Sequence, residues 1–332
     1  MESLAVLRLG RAAAHGLSPA GLKSRLTILI HHRVLPARDA LQPNVITAAG
    51  FWRHIDLIDS CFRILPLSEA VTRLREGTLP SRAACITFDD GYADNVTVAL
   101  HILQQRGLPA TFFVASDYLD GGRMFNDTLT EAVRAAPDGR YDARDMELGC
   151  YALDSVESRV QAIDDLIKWV KYLPPKLRQE RVARVAERLC GDKPLPDNLM
   201  MTSDQLLALR DAGMEIGAHT ASHPILAQQS DEEARADILR GKQRLEEILG
   251  ERVRLFAYPN GRPGLDYRLS HVRMVEELGF DAAVSTARGV ATRQTDHFQL
   301  PRFAPWSRQP VRAALQLLRN LTTRSPDPPL LS

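Results

Sequence analysis

Ala84-Cys85-Ile86-Thr87-Phe88-Asp89-Asp90-Gly91-Tyr92 is the stretch of this 332-residue chain on which the reading of the fold turns. An apolar run passes directly into two adjacent carboxylates and a glycine. On a regular strand consecutive side chains face opposite ways. Two neighbouring carboxylates therefore serve one site only if the chain is turning, and Gly91 permits that turn. One carboxylate can then bind a cation while its neighbour works as a base. Taken alone, an Asp between strand and helix is more simply an N-cap that accepts from free N–H groups.

The same rhythm extends outward. Apolar runs stand at 26–30, 110–115, 214–218, 254–258 and 281–285. Helical patterns lie between them, with 92–106 leading into Gly107, 203–212 into Gly213, 231–249 into Gly250 and 271–278 into Gly279. Glycine suits the C′ position at which a helix stops. Strands joined by helices form parallel sheets, and roughly six to eight such units close or nearly close a barrel. The expected class is α/β, a (β/α) barrel. Residues 120–200 break the pattern with two charged amphipathic segments, about 155–172 and 175–190. These read as a helical insertion in one βα loop, with too little aliphatic content to hold a large core alone. The expected organisation is a helical extension over 1–24, a main domain over 25–322 carrying the insertion, and a Pro-rich tail over 323–332.

Composition narrows the function. The chain has 42 basic and 41 acidic residues, a net charge of +1 and 45% hydrophobic residues. A dedicated nucleic-acid binder would carry a basic surplus, so nucleic acid is not an expected partner. Cys61, Cys85, Cys150 and Cys190 are scattered, without a CxxC pair, and fit neither a disulfide framework nor a structural zinc site. Apolar runs near the N-terminus are broken by Arg8, Arg11 and His15, so no signal-peptide core is visible. No stretch reaches the 18 apolar residues of a membrane span. A cytoplasmic protein is expected, with peripheral membrane contact through an amphipathic N-terminal helix as the alternative.

Four further segments carry chemistry. His219-Thr220-Ala221-Ser222-His223-Pro224 follows a strand, and two imidazoles four residues apart can converge on one metal. A bare HxxxH is usually coincidence. Two His and one Asp would nonetheless leave positions open for water, as a catalytic metal site requires. Phe256-Ala257-Tyr258-Pro259-Asn260-Gly261 is by itself an ordinary turn. Leu29-Ile30-His31-His32-Arg33-Val34 ends a strand on histidines, either of which fits a core position. Leu300-Pro301-Arg302-Phe303 offers an arginine that alone would be a surface ion-pair partner. Four of the five segments, the first included, end an apolar strand, and parallel strands would bring those ends to one rim.

Together these residues resemble the NodB-type polysaccharide deacetylases, carbohydrate esterase family 4. Thr87–Tyr92 looks like that family's first motif and His219–Pro224 like its second, within a resemblance that covers roughly 25–305. The resemblance implies a distorted (β/α) barrel, with Asp89 as general base and Asp90, His219 and His223 as metal ligands. Two departures stand out. Ala257 occupies the place of the family's third-motif Arg, and Leu300-Pro301-Arg302-Phe303 lacks the His of its last motif. Both gaps are filled if the chain resembles the branch with rearranged motifs that includes poly-N-acetylglucosamine deacetylases. His32 would then be the general acid, with His31 at the preceding Tyr position, and Arg302 would orient Asp89.

The implied activity is metal-dependent removal of N-acetyl groups from a glycan. The ligand set suits Zn²⁺, with Co²⁺, Ni²⁺ and Mn²⁺ as alternatives. A backbone N–H near Tyr92 would stabilise the oxyanion, and Tyr92, Tyr258 and Pro259 would line the substrate groove. The rivals are an amidohydrolase acting on a small non-sugar amide, and a barrel that binds glycan without turning it over.

Overall fold

The computed structural model describes residues 2–304 and 309–323. The expected tail, apart from its first residue, lies outside the described residues. Eleven strands are defined: β1 (Thr27–His31), β2 (Val34–Leu35), β3 (Ile46–Thr47), β4 (Arg63–Ile64), β5 (Ala83–Phe88), β6 (Thr111–Val114), β7 (Arg140–Asp142), β8 (Cys150–Ala152), β9 (Glu215–Ala218), β10 (Leu255–Ala257) and β11 (Ala282–Val284). The helices are α1 (Glu2–Leu17), α2 (Ala48–Cys61), α3 (Leu67–Glu76), α4 (His101–Arg106), α5 (Phe125–Ala135), α6 (Val156–Lys171), α7 (Pro175–Cys190), α8 (Ser203–Asp211), α9 (Asp231–Leu249), α10 (Leu269–Glu277) and α11 (Pro310–Thr322).

The main sheet runs β1-β5-β6-β9-β10-β11, with β4 paired to the start of β5, and every pairing in it is parallel. Strand β5 is buried at all six positions. Continuous apolarity is what a parallel strand covered on both faces requires. The two ends of the sheet are stitched by the segment 300–303. Leu300 bridges Val284 of β11 and Phe303 bridges Leu29 of β1, both in parallel sense. Phe303 donates its N–H to the Ile28 carbonyl at 2.8 Å, and Ser285 donates to the Leu300 carbonyl at 2.8 Å. The architecture is the expected α/β distorted barrel, its seam closed by isolated bridges instead of a regular strand.

Local sequence explains the helix ends. Capping boxes open α8 (Thr202 with Gln205) and α9 (Ser230 with Glu233). Gly107 and Gly250 take left-handed conformations after α4 and α9. The helix expected over 92–106 starts differently, because Asn95–Leu100 is wound as a π-helix before α4 begins. Such widened turns are frequent at functional sites.

The insertion contains α5, the antiparallel β7–β8 hairpin, α6 and α7. Although too poor in aliphatics for a large core, the insertion has a small one of its own. Leu129, Leu153, Leu166, Val170, Val182 and Leu189 are buried together in a cluster separate from the barrel's. Its helices are amphipathic, so short stripes suffice where three helices share one small centre. All four cysteines are free, and Cys85 sits in the barrel core. Among the described residues no helix is long and apolar enough to cross a membrane.

Candidate active site

Asp89 continues the β1–β5 ladder by donating its N–H to the His31 carbonyl at 2.9 Å. The chain then turns, with Asp90 at φ 78° and Gly91 at φ 90°. A Cβ on residue 91 would lie 2.9 Å from Val114, so the turn is also too close to β6 for a side chain. This pair of left-handed residues sends the two carboxylates in different directions.

Asp89 points to the barrel seam. Arg302 donates through Nη1 and Nη2 to its two oxygens, each at 2.6 Å, and fixes its own position through Nε on the Ser285 carbonyl. Both side chains are about 2% exposed. Burial alone would raise the Asp89 carboxyl; the Arg302 charge outweighs it and holds the group below the usual carboxylate range.

Asp90 points to the end of β9. Its Oδ1 lies 3.5 Å from His219 Nε2 and 3.3 Å from His223 Nε2. One ligand atom from each of the three falls within 4.8 Å of the others. His219 Nδ1 is 2.7 Å from the Ala257 carbonyl, which assigns the proton to Nδ1 and leaves Nε2 as a lone-pair donor. Burial pulls the His219 imidazole down, but the charges of Asp89 and Asp90 more than offset this and raise its proton affinity. Burial lowers His223 in spite of Asp90. Two imidazole nitrogens and one carboxylate in a pocket that favours positive charge fit a divalent cation.

The loop carrying the histidines is held by residues that the sequence alone did not single out. Asp237 of α9 accepts from the N–H groups of Ala221 (2.9 Å) and Ser222 (3.0 Å) through Oδ1, and from the Ser222 hydroxyl through Oδ2 (2.6 Å). Thr220 and His223 both have positive φ, and the Thr220 hydroxyl accepts from the His223 N–H. Helix α9 comes so near that a Cβ on Gly241 would lie 2.4 Å from the Thr220 carbonyl carbon. A glycine inside a helical pattern was the available signal. The loop after β1 is clamped in the same way. Asp94 accepts from Arg33 Nε (2.8 Å) and the Val34 N–H (2.9 Å), and Asn95 Nδ2 donates to the His32 carbonyl at 2.7 Å.

This clamp separates the two histidines of that loop. His31 is buried against Phe51, Phe88 and His54 and is a core residue. His32 is exposed and lines a cleft of about 570 Å³ together with Asp90 and Tyr92. Tyr92 is nearly buried; Arg33 lies over its ring at 4.6 Å, and its hydroxyl donates to Asp127 at 3.1 Å. Asp127, also in the cleft, carries a carboxyl that burial pushes up to about 7. Tyr258 lies elsewhere. It is fully buried, stacked on Tyr267 with ring centroids 3.9 Å apart, and its hydroxyl donates to the Phe298 carbonyl at 3.0 Å. A groove-lining role for Tyr258 does not match that placement, because its phenol satisfies itself inside the core. Pro259 is buried in the following turn, where its carbonyl accepts from the Gly261 N–H.

The family profile described as polysaccharide deacetylase matches residues 76–142 and 182–283, passing over the middle of the insertion. The chain belongs to the polysaccharide deacetylase family. Its members hydrolyse carbon–nitrogen bonds, and this chain is an enzyme of that class. The Bacillus subtilis (strain 168) protein YxkH is 19% identical over 281 residues, 84% of this chain and 71% of its own length. Among solved structures, the Streptococcus pyogenes deacetylase PplD in complex with acetate has a TM-score of 0.58 at 19% identity, covering 90% of this chain and 98% of its own. IcaB from Ammonifex degensii has a TM-score of 0.57 at 19% identity, covering 92% and 99%. At such identities these two likenesses establish the deacetylase barrel fold.

Proposed function

We propose that this polysaccharide deacetylase uses a divalent cation to hydrolyse N-acetyl groups of an N-acetylated glycan. The observation that carries the reading is the convergence of Asp90, His219 and His223 within 4.8 Å, one residue beyond a carboxylate kept ionised by a buried arginine.

An acetamide is a poor electrophile, so its hydrolysis needs an activated water, a stabilised oxyanion and a protonated leaving amine. Asp90, His219 and His223 would hold the divalent cation, which would supply Lewis acidity. Zn²⁺ suits the donor set, with Co²⁺, Ni²⁺ or Mn²⁺ able to occupy it. Asp89 takes the proton from the attacking water. Arg302 keeps that carboxylate unprotonated beforehand and fixes its direction. The Tyr92 main-chain N–H donates to the developing oxyanion. His32, which lines the cleft with Asp90, gives a proton to the departing nitrogen, and acetate and a free amine result. Tyr258 and Pro259 support this rim from within the core.

Elemental analysis combined with acetate release from N-acetylated oligosaccharides tests the proposal. One divalent ion per chain and measurable acetate are expected, with the ion lost in Asp90→Ala. Asp89→Asn should retain the ion while turnover falls by about 10²–10⁴. Full metal content in His219→Ala, or no acetate from any glycan, would overturn it.

A further inference from the structure

Tyr92, the residue after the Asp89-Asp90-Gly91 turn, is enclosed by both ends of the insertion. At the exit, Ala93 donates its N–H to the Leu199 carbonyl at 2.9 Å, and Met201 donates to the Gly91 carbonyl at 3.0 Å. These two bonds flank an antiparallel bridge between Tyr92 and Met200. In a pair of this kind the bonds belong to the neighbours, and the N–H of the central residue faces away from the opposite segment. The exit segment thus holds Tyr92 while leaving its N–H free.

At the entry, Met124 packs with Tyr92 and Met200 in one small buried cluster. The first turn of α5 then reaches the phenol: Tyr92 donates to Asp127 Oδ2 at 3.1 Å and accepts from Asn126 Nδ2 at 3.3 Å. Asp127 is 5% exposed. Such an arrangement answers a need of the backbone. Asp90 at φ 78° and Gly91 at φ 90° are two left-handed residues in succession, and conformations of this kind persist where the surroundings fix them. Relaxation of that turn would swing the Tyr92 main chain. Anchoring the far end of its side chain to a helix opposes the swing.

Resting on the deacetylase reading, we propose that Asp127 is a positioning residue of the reaction: by holding the Tyr92 hydroxyl it fixes the main-chain N–H that meets the oxyanion. The insertion is then part of the catalytic apparatus, gripping the acidic turn from both of its ends.

The test measures kcat and KM separately for acetate release by the zinc-loaded chain from an N-acetylated oligosaccharide. A misplacement of about 1 Å costs about 10²-fold in rate, so Asp127→Leu should lower kcat by up to that factor with KM and Zn²⁺ affinity unchanged. Asp127→Asn, which keeps an oxygen for the hydroxyl, should recover most of the loss. Tyr92→Phe leaves the carboxyl in place and should lower kcat like Asp127→Leu, and the double variant should be no slower than either single one. A raised KM at unchanged kcat in Asp127→Leu would mean that this carboxyl binds substrate, and multiplying losses would mean that the two residues act apart; either overturns the proposal. Hydrogen exchange supplies a readout independent of turnover. The Ala93 and Met201 amides should exchange about tenfold faster in Asp127→Leu, the equivalent of one lost hydrogen bond. Unchanged exchange overturns the proposal and leaves the deacetylase reading standing. Faster exchange in a chain that releases no acetate from any glycan would keep the clamp and sink the deacetylase.

Discussion

The Asp89–Arg302 pair is made of two side chains almost wholly withdrawn from water and joined by two short, charge-assisted bonds. Removing one partner of such a pair leaves an uncompensated charge and typically costs about 3–5 kcal/mol. Arg302→Met should therefore unfold at lower urea with a loss of that order. It should also move the acid limb of the activity profile upward, because Asp89 loses the charge that holds its carboxyl down. Unchanged midpoint and unchanged limb would mean that Asp89 is not maintained by Arg302. A second residue-scale prediction concerns His54, which packs edge-on to His31 and is pulled by burial down to about 4. The unfolded imidazole titrates near 6.5, so between those values the unfolded chain binds the extra proton. The stabilisation is complete above pH 6.5 and is lost as pH falls toward 4. Melting temperatures recorded from pH 7.5 to 4 should fall through that window, and His54→Phe should flatten the fall. At this scale the sequence made legible that Asp90, His219 and His223 come together, since residue types able to share a cation stand at strand ends. Asp94 and Asp237 were not legible, because an acid that accepts from a distant main-chain N–H looks in sequence like any solvated charge on a helix.

At the scale of elements, helix α9 acts as the splint of the histidine loop, through Asp237 and through the close approach at Gly241. Partners that orient ligands in this way usually contribute about 10–100-fold in metal affinity. Asp237→Ala should weaken Zn²⁺ binding within that range in a competition assay while far-UV dichroism stays native. A variant with undiminished affinity would show the loop to be self-supporting. The apolar runs located the six principal strands to within a residue or two, since burial on both faces leaves an unbroken hydrophobic signature. The two-residue strand β4 left no such trace: Arg63 is exposed and Ile64 half-buried. The π-helical start at Asn95–Leu100 was equally invisible, because a change of winding alters no composition. Tyr258 shows the opposite error. Its position at a strand tip looked functional, whereas its ring is anchored in the core by Tyr267 and Phe298.

For the whole molecule, a cation bound only by the folded chain adds stability by mass action, about 2.7 kcal/mol at a hundredfold excess over Kd. Chelation should lower the melting temperature and stop acetate release together, and Zn²⁺ should restore both; a melting curve indifferent to chelator would contradict the site. The insertion core makes a separate prediction. Leu166→Ala should cost about 2–5 kcal/mol, read by hydrogen exchange as loss of protection confined to α5, α6 and α7. Protection lost evenly across the barrel would mean that the two cores unfold as one. The seam formed by 300–303 has a consequence for biosynthesis. Translation at about 5–20 residues per second separates the emergence of Asp89 from that of Arg302, 213 positions later, by roughly 10–40 seconds. Throughout that interval the nascent barrel has an open edge between β1 and its last strand and a buried acid without its counter-ion. Chains arrested before this short segment should be the species that chaperones retain.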